Sequence, residues 1–309
     1  MIVAPKTGMN IDASRQLQLD RESRAGRYYR NAVERHWDPF DIELEADREA
    51  LISADYGEAQ MDSLRMGLAR FGAGEQAVTE DLAPLAVALD DIDDQMFLTS
   101  QLYEEAKHTD FFDRYWREVV HPVEDELGYE RSAPTARRWF NEAYYDLFDR
   151  NERAVARVLT DDSPEARAKA YCHYHLVIEG ILAQTGYYGM QKSYSADDHP
   201  DVPHLPGLVE GFDLIRSDEG RHVGFGMAKL KDLVEAGEVS PELLDATVNE
   251  LLPLVNGIAA DEDYQTDIGV QPAELEAYAA EKHIDRMNQI KDAAREIPDV
   301  ESLTRLEGD

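Results

Sequence analysis

Apolar side chains recur at intervals of three and four along almost the whole chain, and no segment alternates apolar with polar residues in the manner of a strand. Residues 1–42 read as an irregular arm containing Trp37-Asp-Pro-Phe. Residues 43–90 read as two helices, the second carrying Glu75, with Asp90 and Asp91 at a break. Residues 92–120 form a helix stopped at Pro122. A loop holding Gly128, Ser132 and Pro134 leads into a helix to about residue 158, whose Trp139, Phe140, Tyr144, Tyr145 and Phe148 read as core. Residues 163–193 begin at Ser163-Pro-Glu-Ala, an N-cap followed by proline in the first turn. Ser193 to Pro206 is a long loop. Helices over residues 207–236, about 240–257 and 271–295 follow, and the polar stretch of about 297–309 reads as a frayed tail. No linker composition and no long repeat interrupts the pattern, which predicts a single all-α domain over residues 1–309.

Two of these helices carry the same four-residue pattern, Glu105-Ala-Lys-His108 and Glu219-Gly-Arg-His222, and each follows a helix with a further carboxylate, Glu75 and Glu179. Residues three apart project from one helical face, so one turn offers a carboxylate and an imidazole to the same ion. The order of one Glu and then Glu-x-x-His, twice over, is what a four-helix bundle needs to hold two metal ions. The lone glutamates can bridge the ions or cap them. Four carboxylates balance two divalent ions, and an oxygen-rich donor set with two nitrogens and no thiolate favours iron or manganese. Glu118-Val-Val-His121 matches the same pattern, but it lies on the helix of His108, pointing to a different face, and reads as accidental with Glu118 solvated. His173 and His175 read as structural histidines.

The chain has 31 basic and 64 acidic residues and a formal charge of -33, and only 8 of the basic residues are lysine. Such a surface repels nucleic acid and anionic membrane, so neither is an expected partner. With 43% apolar residues the chain can still build a large core. Dense acidic, lysine-poor surfaces are those of salt-adapted proteins, in which high internal salt screens self-repulsion, and the expected source is a halophile. The one cysteine, Cys172, excludes an intramolecular disulfide and reads as a small buried helix residue. Met1 to Asn10 shows no basic start followed by an apolar core, and no segment reaches 18 uninterrupted apolar residues. The expectation is a soluble, cytoplasmic protein.

From about Trp37 to residue 235 the chain resembles the ferritin-like superfamily branch that contains the ribonucleotide reductase small subunit, and more closely the small-subunit-like ligand-binding oxidases. Trp37-Asp-Pro-Phe-Asp-Ile-Glu and Ser217-Asp-Glu-Gly-Arg-His222 are similar to segments of both groups. The standard small subunit commonly has Asp as first ligand and a radical-forming tyrosine four residues after the first ligand histidine; here these positions are Glu75 and Phe112. Reductase subunits also carry an aromatic residue in the C-terminal tail, and nothing after Tyr278 is aromatic. Gly74-Glu75-Gln-Ala-Val78 resembles the oxidase segment in which the valine becomes ether-bonded through its β-carbon to a tyrosine five residues before the third glutamate ligand, here Tyr174. Spacing alone puts Val78 on the face of Glu75.

The resemblance implies a ferritin-like four-helix bundle core with additional helices, and a heterodinuclear manganese/iron cofactor, di-iron being the other possibility. It implies an oxidase that activates dioxygen for two-electron oxidation of C–H bonds, forms the Val78–Tyr174 ether, binds a long-chain fatty acid and assembles as a homodimer. Manganese would lie with Glu75, Glu105 and His108, and iron with Glu179, Glu219 and His222. Glu179 would be the carboxylate that shifts, since it enters alone from a helix with Gly180 and Gly186. A ligand histidine usually donates its other N–H to a carboxylate, and Asp218 is the candidate acceptor for His108, with Trp37 behind it. Tyr187, eight residues after Glu179, is expected to face the same cavity. The alternatives are the small subunit of a tyrosine-free manganese/iron ribonucleotide reductase and a metal or lipid carrier.

Overall fold

Amphipathic helices with one apolar stripe must bury that stripe against one another, and this chain does so around a central set of four. In the computed structural model, which describes residues 19–54, 56–195, 199–259, 261, 266–291 and 296–304, the described residues form helices joined by loops. The central four are α3 (Glu58–Asp81), α5 (Ile92–Tyr115), the α8–α9 rod (Pro164–Tyr171 and Gln184–Tyr194, with a π-helical stretch, Cys172–Ala183, between them) and α10 (Pro206–Glu235). α3 packs along α5, and α10 packs along the π-helical stretch, α9 and α5. Around them lie α1 (Arg24–Glu34), α2 (Glu45–Ser53), the short α4 (Ala83–Ala88), α6 (His121–Leu127), α7 (Glu142–Arg157), α11 (Pro241–Ala259), α12 (Pro272–Lys291) and α13 (Val300–Thr304). Ser163 caps α8 as its spacing predicts, its hydroxyl accepting from the Ala166 amide. No helix among the described residues is long and apolar enough to cross a membrane.

Several boundaries differ from the sequence reading, each for a local reason. The segment read as an irregular arm holds α1, capped by Ser23, which buries Ala25, Tyr28 and Ala32 on one stripe and packs against α5. The segment read as a frayed tail holds α13, whose buried Leu303 sits against α10 and whose carbonyl accepts from Arg286. Residues 1–18 of the arm, residues 305–309 of the tail and residues 292–295 lie outside the described residues. Residues 43–90 hold three helices, α4 being the addition.

Pro122 does not stop its helix. A π-helical turn, Trp116–Val120, precedes it, and the wider turn relieves the clash of the proline ring with the carbonyl four residues back. The helix ends instead at Gly128, whose φ of 75° makes the left-handed cap that glycine adopts without strain. Glu118 is exposed and pairs with Arg114, while His121 turns to the Ser132 carbonyl, so the third Glu-x-x-His takes no part in the cluster described below. Of the aromatic residues read as core, Trp139 is fully buried but Tyr145 is exposed, and Tyr144 and Phe148 line a cavity.

Candidate metal centre

α3 contributes Glu75, α5 Glu105 and His108, the π-helical stretch Glu179, and α10 Glu219 and His222. All six are buried. Their ligand atoms converge into two overlapping sets, Glu75 with Glu105, His108 and Glu219, and Glu105 with Glu179, Glu219 and His222, the atoms of each set lying within 4.8 Å of one another. The shared members are Glu105 and Glu219. Glu75 and Glu179 each belong to one set, and the glutamates of the Glu-x-x-His pairs belong to both.

Both imidazoles turn Nδ1 inward. His108 Nδ1 lies 3.4 Å from Glu75, 3.5 Å from Glu105 and 3.6 Å from Glu219. His222 Nδ1 lies 3.1 Å from Glu105 and 3.4 Å from Glu179 and Glu219. Both turn Nε2 outward to a buried carboxylate, His108 to Asp218 Oδ2 at 3.1 Å and His222 to Glu104 Oε2 at 2.8 Å. A proton on Nε2 leaves the Nδ1 lone pair free for an ion, the arrangement usual behind ligand histidines. Trp37 Nε1 donates to Asp218 Oδ2 at 2.8 Å, and Lys107 Nζ lies 2.8 Å from the same oxygen and over the Trp37 ring. Arg221 binds both Glu104 and Asp218. Each acidic residue that precedes a ligand glutamate therefore supports the histidine of the other helix.

Glu104, which meets His222 here, is the site residue that the sequence reading passed over. Its signal is present: Glu104-Glu-Ala-Lys-His108 and Asp218-Glu-Gly-Arg-His222 share acid, glutamate, any residue, base and histidine.

The cluster is electrostatically expensive when it holds only protons. Burial pushes Glu75 up to about 8 and Glu179 well above the usual carboxylate range, with Glu219 adding repulsion to the latter. Glu105 is held well below that range because its histidine neighbours, His222 foremost, outweigh its burial. Burial would likewise lower His108 and His222, but Glu75 and Glu105 respectively, with the outer carboxylates, hold both well above the usual imidazole value. The hydrogen bond from His108, with Arg221 and Lys107, outweighs burial at Asp218 and lowers it. Glu105 Oε2, Glu179 Oε2, Glu219 Oε2 and His222 Nδ1 are buried with no hydrogen-bond partner. Buried acceptors left without partners are costly, and cations at the two convergent sets would satisfy them. The residues fit a pair of oxygen-preferring metal ions.

The remaining predicted residues lie close by. Val78 and Tyr174 belong to one buried apolar cluster. Val78 lines the cavity, and the Tyr174 hydroxyl donates to Glu105 Oε1 at 2.8 Å. Residues five apart in an α-helix differ by about 140° around its axis. The wider turn of the π-helical stretch brings residues at that spacing closer to a common face, and Tyr174 and Glu179 both reach the cluster. Phe112 is buried and stacks on Phe71. Cys172 is buried, with its thiol pushed up by burial.

A cavity of about 240 Å³ begins at Glu75, Val78, Glu105, Glu179 and Glu219 and extends past Phe71, Leu182, Met190 and Leu275. Tyr187 lines it, fully buried, its hydroxyl without a hydrogen-bond partner among the described residues.

No family model matches the sequence. Among solved structures the chain is similar to a valine-to-alanine variant of an R2-like ligand-binding oxidase with anaerobically reconstituted Mn/Fe cofactor, at 31% identity and a TM-score of 0.75 over 88% of this chain and 95% of that one. A valine-to-isoleucine variant in the same state matches at 30% identity and a TM-score of 0.75 over the same shares, 88% and 95%. A glutamate-to-aspartate variant with aerobically reconstituted Mn/Fe cofactor matches at 28% identity and a TM-score of 0.77 over 94% of this chain and 99% of that one. With a common helical fold, solved structures at 30% and 31% identity, and almost the whole of their length covered, the chain belongs to the R2-like ligand-binding oxidases.

Proposed function

We propose that the protein is a dinuclear manganese/iron oxidase that uses dioxygen for two-electron oxidation of C–H bonds, and that Val78 and Tyr174 become joined by an ether in the process. The observation that carries this reading is the pair of buried candidate ligand sets that share Glu105 and Glu219, their glutamates lining a largely apolar cavity. Manganese is assigned to Glu75, Glu105 and His108, and iron to Glu179, Glu219 and His222, with Glu105 and Glu219 reaching both. The cofactor would supply the site at which dioxygen is reduced. Every other contribution comes from the chain.

The four glutamates neutralise two divalent ions, and Nε2 of each histidine holds its proton against Asp218 or Glu104. Joining the side chains breaks the Val78 Cβ–H and Tyr174 O–H bonds and forms one Cβ–O bond, releasing two electrons and two protons. The cofactor, when held by the six residues, would supply the two further electrons that complete the four dioxygen takes up, and the two protons would leave with its oxygen atoms as hydroxide. The Tyr174 hydroxyl already points its proton at Glu105 Oε1. Glu179, which enters alone from a helix with Gly180 and Gly186, is the carboxylate expected to shift between states of the site.

The cavity would take a long-chain fatty acid, the carboxylate toward the cluster and the chain along Phe71, Leu182 and Met190. Tyr187 offers a buried hydroxyl that a ligand oxygen would satisfy. We further assign the protein as a homodimer formed by a single domain.

The test is peptide mapping by mass spectrometry after loading metal-free protein with manganese(II) and iron(II) without oxygen and then admitting air, with lipids extracted from a parallel sample. The expected result is a joined pair of peptides containing Val78 and Tyr174, two hydrogens lighter than their sum, and a co-purifying fatty acid. Separate peptides from fully metallated, oxidised protein would overturn the ether.

A further inference from the structure

Gln101 lies on α5 four residues before Glu105 and is fully buried. Its amide nitrogen is 3.0 Å from Glu179 Oε1, 3.3 Å from the Tyr174 hydroxyl and 3.5 Å from Glu105 Oε1. Carboxylates only accept, so the NH2 must face them and the amide oxygen must point the other way. That oxygen meets His175 Nε2 at 3.3 Å, which requires the histidine to carry its proton on Nε2. Nδ1 of His175 is buried without a partner, and burial disfavours a second proton on the ring. His175 is itself fixed from outside: a methyl group added to Gly226 of α10 would overlap its side chain, and its carbonyl lies 2.9 Å from where a β-carbon at Gly180 would stand.

The geometry points to Gln101, oriented by His175, as a positioning residue that holds the Tyr174 oxygen and Glu179 in place for the joining of Tyr174 to Val78. The inference rests on the reading of Val78 and Tyr174 as an oxidised pair. A phenol with its proton committed to Glu105 Oε1 can still swing its oxygen, and the donor from Gln101 fixes a second direction at that oxygen. The same NH2 occupies Glu179 Oε1, so the carboxylate does not compete for the phenol proton that Glu105 takes. When the ether forms, the Cβ–H and O–H bonds break, the Cβ–O bond forms, and the two electrons and two protons pass to dioxygen. Gln101 exchanges neither electrons nor protons in this step. Its loss should therefore separate dioxygen use from ether formation.

The experiment measures three quantities for the wild type, Gln101→Leu and Gln101→Glu after anaerobic loading with manganese(II) and iron(II) and admission of air: metal ions per chain, dioxygen consumed, and joined Val78–Tyr174 peptide. The expected result is about two metals per chain in each protein, as the two ligand sets require, with the joined peptide formed per dioxygen falling about ten-fold to a hundred-fold in both variants. Gln101→Glu keeps the shape of the side chain while replacing a donor with an acceptor, so it decides the matter if Gln101→Leu does not fold. An unchanged ratio in the variants beside a joined wild type would overturn the positioning role and leave the cross-link reading intact. Ether and metal lost in parallel would reduce Gln101 to a residue that retains metal. A wild type with separate peptides would overturn the cross-link and this inference together.

Discussion

Each ligand histidine is held from behind by a carboxylate that stands just before the ligand glutamate of the other helix, Asp218 behind His108 and Glu104 behind His222. Removing the charge at such a supporting position usually weakens metal binding about 10–100-fold. Glu104→Gln should therefore weaken the set containing His222 by about that factor and the set containing His108 less, as read by competition with a chelator for each metal. An equal loss at both sets, or none, would contradict the crossed support. At this scale the sequence was most informative about the ligands. Helical spacing alone grouped Glu105 with His108 and Glu219 with His222, because three residues is nearly one turn. It could not say which carboxylates reach both sets, since that depends on how four helices face one another. Asp218 was accessible through the chemistry of ligand histidines, whereas Glu104 required reading both five-residue segments as one crossed unit.

At the scale of elements, the two π-helical segments are where the periodicity of the sequence misled. Trp116–Val120 carries the helix through Pro122, and Cys172–Ala183 turns Tyr174 toward the face of Glu179. Neither has a sequence mark, because a wider turn changes the hydrogen-bonding ring and leaves the residue types alone. α1 and α13 were missed for a different reason. Each is short or largely polar, and it is fixed by a few side chains buried against another element, Tyr28 toward Phe97 and Leu303 toward α10. Close approach of α10 to the π-helical stretch also depends on glycine. Gly226→Ala would force its methyl group into His175, and overpacking of this kind costs about 1–3 kcal/mol. The expected outcome is a lower unfolding temperature for the metal-free variant together with a weakened Val78–Tyr174 yield. A variant as stable as the wild type would show that the helices can move apart without cost.

The whole molecule confines six ionisable candidate ligands and their supporting charges to a buried centre, so metal, protons and stability are linked. Glu75, with its value raised from 4.5 to about 8, keeps a proton in the folded metal-free protein that the unfolded chain gives up. Its contribution to stability is complete below about pH 4.5 and is lost as pH rises toward 8. The raised histidines act in the same direction: their contribution is present below the ordinary imidazole value and is lost as pH passes the higher folded value. Glu105 and Asp218, both lowered, act in the opposite direction, their contribution being lost only in acid. Between neutral pH and about pH 8 the metal-free protein should therefore lose stability, while the loaded protein, whose ligands hold cations in place of protons, should not. Anaerobic loading at neutral pH in weak buffer should release about two or more protons per chain, read with an indicator dye, because the ligands must deprotonate to bind. Loading without proton release would contradict the charge state assigned to the cluster.

In the loaded protein two unlike metal ions should share Glu105 and Glu219. Anomalous diffraction from crystals of the manganese- and iron-loaded protein, collected on both sides of each metal's absorption edge, tests it most directly. Two peaks are expected about 3.5–4 Å apart, the usual spacing of paired ions, with both shared carboxylates between them. Manganese should dominate the peak beside Glu75 and His108, and iron the peak beside Glu179 and His222. A single peak, or two peaks with Glu105 and Glu219 each confined to one ion, would contradict it.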